Sequence, residues 1–390
     1  MKQQEKITLE NSENVIDDRE PECYNNITKV SGNVTGNVFE LFPHGFPRIE
    51  VRIVTIKDIA ERCGVSVSTV SRVLNHHPDV SQTVRNRVLQ VIEEVHYVPN
   101  NSARDLVKAQ SDDIGIVVRG AGNPFFMEVI PVMEQAILQK GYTPWIHQIN
   151  TEDDELRAGA ELVRSKKLKG LILLGGRFDY DDTQIAVLDV PFVCCTYGNS
   201  FGKLKETQYS CVTIDDMNEA KKAVEVLIQK GHTKIAILLD STDDSSISEL
   251  RYRGYCEALK EARIPLDEDF VQETGTFSME DAYTGMTKLL QRRTDFTAVF
   301  AIADSMALAA MRALHDGGKQ VPMDVSMIAI DGIPMSDYVV PALTTLVQPR
   351  KEMGEEPVRI LVDMIEGKAN HCHVILPAAV KEGESVRTLK

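Results

Sequence analysis

The sequence predicts an all-α helix-turn-helix region followed by an α/β region of two lobes with parallel sheets. Helical periodicity is concentrated in a short stretch that begins at Thr55, and from Ile114 onward short apolar runs alternate with amphipathic helical stretches. Alternation of this kind is typical of a parallel sheet covered by helices on both faces. With 390 residues, the chain is long enough for two or three domains.

The composition excludes several classes of protein. Hydrophobic residues make up 43% of the chain, but no apolar run approaches the ~20 residues of a membrane helix. The seven cysteines form no CxxC pair, so we expect neither a disulfide scaffold nor a metal site, and no other cofactor. The polar first residues contain no secretory signal. These features predict a cytoplasmic location without membrane contact.

Three helices are predicted within residues 54–99. Thr55 is the N-cap of the first, Gly64 provides the turn, Ser66 caps the second and Ser81 begins the third. Each helix has one apolar face, formed by Ile56, Ile59, Ala60 and Cys63, then by Val70, Val73 and Leu74, and then by Val84, Val88, Val91, Ile92 and Val95.

Two short helices joined by a glycine turn are typical of a DNA-binding motif whose second helix lies in the major groove. Val67, Ser68, Ser71 and Arg72 face outward on that helix. Arg72 can bond O6 and N7 of guanine, and Val67 can contact a thymine methyl group. Residues 54–110 carry 7 basic and 6 acidic residues, so bulk charge would not hold DNA. A plain three-helix bundle is the alternative.

A ligand site is predicted at the carboxyl ends of the parallel strands, where two-lobed α/β proteins bind small molecules. An arginine, aspartates and aromatic rings in one cleft suit a polyhydroxylated ligand. The alternatives are that Phe126 is a core residue and that Asp304 only caps a helix. The predicted ligand-binding residues are Asn123, Phe125, Phe126, Arg251, Phe277, Asp304 and Asp331.

A weak internal repeat supports two lobes. Residues 137–143 and 227–233 each combine Gln-Lys-Gly with a following threonine, and an extended segment follows both. Glycine at a helix end is a common C-terminal cap, which is the alternative explanation.

Residues 55–75, TIKDIAERCGVSVSTVSRVLN, closely resemble the DNA-binding signature of the LacI/GalR family of bacterial repressors. Residues 97–106 resemble that family's hinge, and the likeness continues to the C-terminus. The resemblance implies a helix-turn-helix domain at 54–99, a hinge helix and linker at 100–110 and a periplasmic-binding-protein-like domain at 111–390. Lobe 1 would span about 112–212 and 348–374, and lobe 2 about 213–347 and 375–390.

The resemblance also implies residue roles. Val67, Ser68 and Arg72 would read bases, while Thr69 and Ser71 would touch phosphates or support the helix. Leu106 would wedge into the minor groove and kink the duplex, which is worthwhile only if bending brings further contacts. The complete predicted DNA-binding set is Thr55, Val67, Ser68, Thr69, Ser71, Arg72, Asn75, Asn100, Ala103 and Leu106.

Four positions depart from the family pattern. Thr196 and Tyr197 stand where an aspartate is frequent, Ala303 where an asparagine is common, and Gly332 where an acidic residue is common. Pro357 interrupts a predicted helix at 351–366 and is expected to kink it.

Residues 1–53 have no helical or strand periodicity and are predicted to be a disordered extension. Family members begin within a few residues of the motif at Thr55. Either an acidic arm precedes the DNA-binding head or the start codon is misplaced upstream, and we favour the misplaced start.

The predicted function is a cytoplasmic, homodimeric transcriptional regulator, a repressor that binds a pseudo-palindromic operator. Its allosteric effector would be a sugar or sugar derivative. A periplasmic-type sugar-binding protein is the alternative, which the helix-turn-helix argues against. An enzyme is not expected, because Gly120 and Gly122 lack the third glycine of a dinucleotide loop. The sequence leaves open the effector's identity, inducer or co-repressor action, a phosphocarrier co-repressor, and an oligomer larger than a dimer.

Overall fold

The computed structural model describes residues 55–74, 77–95, 111–120, 122–177, 179–242 and 245–389. The chain divides into two compact units, Met1–Pro99 and Asn100–Lys390. The predictions for residues 1–53, for the hinge at 100–110, and for Asn75, Asn100, Ala103 and Leu106 lie outside the described residues.

The first unit contains three helices, α1 (Ile56–Cys63), α2 (Val67–Leu74) and α3 (Gln82–Glu94). Thr55 and Asp58 form a reciprocal capping box at the start of α1. Gly64 ends α1 with φ of 63°, a left-handed conformation that glycine adopts without steric cost. The buried core consists of Ile59, Ala60, Cys63, Val70, Val73 and Val88, all on the predicted apolar faces.

The second unit alternates strands and helices. Its strands are β1 (Asp113–Arg119), β2 (Thr143–Ile149), β3 (Gly170–Leu174), β4 (Phe192–Cys195), β5 (Ser210–Ile214), β6 (Ile235–Leu239), β7 (Val271–Glu273), β8 (Ala298–Ala301), β9 (Ser326–Asp331), β10 (Thr344–Val347), β11 (His373–Leu376) and β12 (Ala379–Lys381). Its helices are α4 (Pro124–Gln139), α5 (Glu155–Lys166), α6 (Asp182–Ile185), α7 (Asp216–Gln229), α8 (Ile247–Glu261), α9 (Met279–Arg292), α10 (Asp304–Asp316) and α11 (Arg350–Ile365), with short 3-10 helices at Glu268–Phe270 and Pro334–Asp337.

These strands form two six-stranded sheets, one in each lobe. The first sheet has the order β11-β5-β4-β3-β1-β2, and the second has the order β12-β10-β9-β8-β6-β7. The pairs are parallel except that between β10 and β12. Because β5 ends at Ile214 and β11 at Leu376, the first sheet extends two residues past each lobe boundary expected at 212 and 374.

The two lobes have corresponding strands, but the two copies of the internal repeat do not lie at corresponding places in them. The two sheet orders match strand for strand, so that β1 corresponds to β6 and β2 to β7. The first copy of the repeat, however, leads into β2 at the edge of its sheet, and the second leads toward β6 in the interior. The repeated letters therefore mark the same local helix end, with glycines at φ of 83° and 91°, rather than equivalent parts of the lobes.

Pro357 does not end the helix in which it lies. Helix α11 runs without interruption from Arg350 to Ile365, and Pro357 is buried within it. Its apolar residues Met353, Val358 and Leu361 are completely or almost completely buried in the core of the first lobe. This packing stabilises a helix that tolerates one missing backbone hydrogen bond.

Within the described ranges, no helix combines the length and apolar character needed to cross a bilayer. Across those same ranges, no three or more His, Cys, Asp or Glu side chains are grouped so that they could hold a metal ion.

Candidate functional site: an exposed recognition helix and an inter-lobe cleft

Helix α2 presents a polar face that the first unit does not cover. Val67 is 41% exposed, and Ser68 and Arg72 are exposed as well, whereas Thr69 and Ser71 are half-buried. The hydroxyl of Ser66 accepts a hydrogen bond from the backbone of Thr69 at 3.1 Å, which fixes the start of the helix. The amino-terminal turn is thus capped, and its exposed side chains are not covered by the rest of the first unit.

Arg72 forms an ion pair with an acidic neighbour. Its Nη1 lies 3.2 Å from Oδ2 of Asp79, and both side chains are about half exposed. An exposed ion pair of this kind contributes little stability, so the guanidinium can leave it for a base or a phosphate. Thr55, the other predicted DNA contact outside α2 that the structure describes, donates its hydroxyl to Oδ2 of Asp58 at 2.6 Å within the capping box of α1.

A cleft of about 1240 Å³ lies between the two lobes, at the carboxyl ends of the strands. Both lobes contribute to its walls. The lining includes Arg119, Asn123, Phe125, Phe126, Gln148, Glu152, Arg177, Thr196, Tyr197, Asp240, Arg251, Phe277, Asp281, Ala303, Asp331 and Gln348. Six of the seven predicted ligand residues are in this set, and Asp304 is absent from it.

Arg251 is almost completely buried at the base of the cleft. Its Nε and Nη2 both donate to Oδ1 of Asp216, at 3.0 and 2.9 Å, and its Nη1 donates to the carbonyl of Ile302. Burial raises the pKa of Asp216 to about 6, although the guanidinium opposes that shift. Arg251 lies in the cleft, and its partner Asp216, which no sequence pattern indicated, is 35 residues away in the chain.

Asp331 ends β9 with a strained backbone that turns it into the cleft. Its φ is 142°, and the following Gly332 lies so close to Val347 that an added Cβ would approach it to 2.7 Å. The carboxylate accepts a hydrogen bond from Nε2 of Gln348 at 2.8 Å, and Nη1 of Arg251 lies 3.9 Å from the same oxygen. Burial raises the pKa of Asp331 to about 7.

Asp304 does not belong to the ligand set, which corrects the sequence prediction. Its side chain is fully buried, and its oxygens accept bonds from the backbone of Ile333 at 2.9 Å and from the hydroxyls of Ser336 at 2.6 Å and Thr345 at 2.5 Å. Burial raises the pKa of this carboxyl, and these bonds oppose the shift. Asp304 therefore fastens the segment after β9 and strand β10 to the start of α10.

The aromatic residues divide into core and wall. Phe125 and Phe126 are 1% and 8% exposed and belong to the core of the first lobe. Phe277 is only partly buried, and it offers an accessible ring face to the cleft from the second lobe. Asn123 caps α4 by accepting a bond from the backbone of Phe125 at 3.0 Å. Of these three rings, Phe277 is therefore the one with a partly exposed side chain on the cleft wall.

Sequence reasoning missed two arginines in the cleft. Arg119, the last residue of β1, lies 3.5 Å from the buried carboxylate of Glu155. Arg177 lies 2.7 Å from Asp179. Their positions just at or after strand ends were the available signal, but the acidic partners could not be identified without the fold.

Three further lining residues lie within two positions of a strand end. Asp240 follows β6 and Gln348 follows β10, and neither was predicted as a ligand residue. Tyr197, which follows β4 after Thr196, is 1% exposed and meets Tyr180 edge to face at 6.3 Å. Ala303 lies at the N-terminus of α10 without a side-chain cap, so this wall lacks the polar group that an asparagine would supply.

The chain matches two family models. Residues 55–100 match the lacI family of bacterial regulatory proteins, and residues 224–386 match a periplasmic binding protein-like domain. The transcriptional regulator MalR of Clostridium butyricum is 40% identical over 334 residues, which cover 85% of this chain and 98% of that protein. The repressor CytR of Escherichia coli K12 is 32% identical, over 80% of this chain and 90% of its own length.

Solved structures share the same architecture. The lac repressor dimer bound to operator and the anti-inducer ONPF has a TM-score of 0.69 and 26% identity, and the match covers 86% of this chain and all of that one. The regulator CelR in complex with cellobiose has a TM-score of 0.63 and 30% identity, with 85% and 99% covered.

Proposed function

The chain belongs to the lacI family of bacterial regulatory proteins and is a transcriptional repressor with a small-molecule effector; we propose that this effector is an uncharged sugar larger than one ring. Its relatives are regulators and not enzymes. Regulators of this family bind operator DNA and form dimers, as the lac repressor structure does. For this chain we propose a pseudo-palindromic operator, read in each half-site by α2, and a cytoplasmic location.

The observation that carries the proposal is the pairing of every cationic group among the described lining residues. Arg119, Arg177 and Arg251 are each matched by a protein carboxylate, those of Glu155, Asp179 and Asp216 respectively. A phosphate or carboxylate on the ligand would have to displace one of these partners or add a negative charge beside Asp331. Hydroxyl groups have no such cost, since they can donate to Asp331 and accept from amides.

The dimensions of the cleft favour a ligand of more than one sugar ring. Its volume of about 1240 Å³ exceeds the roughly 300–1,000 Å³ of ordinary small-molecule pockets. Polar side chains extend along both walls, with Gln148 and Asn150 on the first lobe and Thr276 and Ser278 on the second. Phe277 supplies one stacking face among them. A row of hydroxyl-binding groups around one ring face suits an oligosaccharide.

We propose that Val67, Ser68 and Arg72 read bases and that Thr69 and Ser71 support them. This assignment is supported by the exposure of Val67, Ser68 and Arg72 on one face of α2. Thr69 and Ser71 are partly buried beside them. No feature of the described residues favours a phosphocarrier co-repressor, and we do not propose one.

The experiment that tests the effector class is calorimetry on the full chain with four probes: maltose, cellobiose, glucose and glucose 6-phosphate. We expect at least one disaccharide to bind more tightly than glucose, and glucose 6-phosphate to bind most weakly. A ligand at 100 times its Kd also raises the free energy of unfolding by about 2.7 kcal/mol, so an increase in the melting temperature should accompany binding.

A preference for glucose 6-phosphate over glucose would contradict the uncharged-ligand proposal. Operator binding is tested separately, by selecting duplexes from a random pool with the ligand-free chain and with the chain plus the bound sugar. The arm that retains DNA decides whether the sugar acts as an inducer or as a co-repressor.

A further inference from the structure

The chain passes between the two lobes three times within residues 111–389. The first connection is Asp215, between β5 of the first sheet and α7 of the second lobe. The second is Gln348-Pro349, between β10 of the second sheet and α11 of the first lobe. The third is Pro377-Ala378, between β11 and β12. Any change in the angle between the lobes must be absorbed in these short segments.

The two charged residues at the base of the cleft are bonded to two different connections. Arg251 donates twice to Asp216, the first residue of α7 after the first connection. Asp331 accepts from the side chain of Gln348, which is itself part of the second connection. Gln348 also donates its backbone N–H to the carbonyl of Asp331 at 3.1 Å. All four side chains are at least nine-tenths buried.

These two attachments differ in how easily a ligand can replace them. The Arg251–Asp216 pair joins opposite charges in a buried setting, and separating it would leave a charge without a partner. The Gln348–Asp331 contact is one hydrogen bond from a neutral amide to one carboxylate oxygen. A hydroxyl group of a ligand can take the place of that amide at little cost, because the carboxylate remains satisfied.

We propose that Gln348 is a positioning residue that reports occupation of the cleft to the second connection, while the Asp216–Arg251 pair holds the first connection as a pivot. This inference rests on the proposed function. When an effector hydroxyl donates to Oδ1 of Asp331, the Gln348 side chain is released. The second connection then gains freedom that the first lacks, and the lobes rotate about the first. Cleft occupation is thereby converted into a change of lobe angle.

The matched control is Gln272, which lies in β7 of the second sheet, the sheet whose strand β10 precedes Gln348. Gln272 is 7% exposed against 4% for Gln348, and its amide also donates to an oxygen acceptor, the carbonyl of Glu273 at 2.7 Å. It lies in no connection between the lobes. Gln348→Met and Gln272→Met therefore remove the same chemical group from similar burial, and only the first removes a tether.

The first test is hydrogen–deuterium exchange of the full chain without ligand. In Gln348→Met we expect residues 344–353 to exchange about tenfold faster, with residues 214–219 unchanged, and Gln272→Met to change neither. Unchanged exchange at 344–353, or an equal increase at both connections, would overturn the proposal. This test involves no sugar, so it stays decisive if the proposed effector class fails.

The second test uses maltose and cellobiose as probes and compares sugar Kd with the effect of the sugar on operator affinity. In Gln348→Met we expect the sugar-induced change in operator affinity to fall about tenfold more than sugar binding does. If sugar affinity and the sugar-induced change in operator affinity fall by the same factor, Gln348 only contacts the ligand, and the proposed positioning role is wrong. Absence of binding by either sugar to the unmodified chain would contradict the proposed effector alone.

Discussion

Arg251 and Asp331 lie side by side at the base of the cleft but do not hydrogen-bond to each other. Nη1 of Arg251 is 3.9 Å from Oδ1 of Asp331, because the guanidinium is turned toward Asp216. Asp331 is satisfied instead by Gln348. The two residues that the sequence identified as the ligand's charged partners are therefore each engaged elsewhere, and this separation determines how each will respond to mutation.

Arg251→Ala is expected to destabilise the protein rather than to remove only the effector response. The substitution leaves the buried Asp216 without its partner, which costs about 3–5 kcal/mol. Denaturant unfolding measures the loss. Adding Asp216→Asn to Arg251→Ala should recover part of the stability, and a double variant no more stable than the single one would contradict the ion-pair account.

Phe277→Ala and Phe126→Ala are expected to have opposite consequences. Phe277 is partly exposed on the cleft wall, so its loss should weaken sugar binding and change the unfolding free energy little. Phe126 is 8% exposed in the core, so its loss should cost about 3–5 kcal/mol of stability. Calorimetry with the bound sugar and denaturant unfolding of both variants separate the two roles. Similar stability losses in both would place Phe277 in the core.

Asp331 should make stability depend on pH between about 4 and 7. Its pKa is about 7 in the folded protein and about 3.9 when unfolded. As pH rises through this window the unfolded state loses the proton first, so the folded state is progressively disfavoured. The stability of the unmodified chain relative to Asp331→Asn should therefore fall with rising pH, by up to about 1.4 kcal/mol per unit. A difference that is constant from pH 4.5 to 7.5 would contradict the buried, protonated carboxyl.

Arg72→Ala should relax sequence preference at one base position in each half-site, at a cost of about 1–3 kcal/mol. Asp79→Asn is the matched variant, since it removes the ion-pair partner and leaves the arginine in place. It should raise affinity for all duplexes alike by removing a negative charge near the phosphates. Binding to a set of single-base operator variants provides the measurement. Uniform weakening by Arg72→Ala would assign Arg72 to a phosphate.

Leu106→Ala is predicted, from the family resemblance, to reduce operator affinity and DNA bending without affecting the effector site. An apolar side chain inserted between base steps is worth its unstacking cost only when the bend adds contacts. The bend angle in a fluorescence-transfer assay on a doubly labelled operator is the readout. An unchanged bend angle would contradict the insertion of Leu106 between base steps, even if operator affinity falls.

Local patterns were sufficient for the three helices of the first unit and for six of the interior strands of the two sheets. The apolar spacing in α1 to α3 gave the observed core of the first unit, because a helix of the 3.6-residue period can bury only one face. The runs that became β1, β3, β4, β6, β8 and β9 are buried on both faces, so they stand out as continuous apolar segments. The edge strands β11 and β12 and the partly polar β5 and β10 have no such signature.

The sequence by itself determined the family, the two-unit organisation and the positions just after strands where a ligand would be met, since these depend on local periodicity and on motif letters. Only the tertiary structure decided which of those positions face the cleft. Asp304 lies just after β8 and Asp331 is the last residue of β9, yet the first accepts its hydrogen bonds from Ile333, Ser336 and Thr345 and the second lines the cleft. The reason is physical: a carboxylate's role depends on the donors around it, and those donors come from segments 17 to 41 residues away that the fold alone brings together.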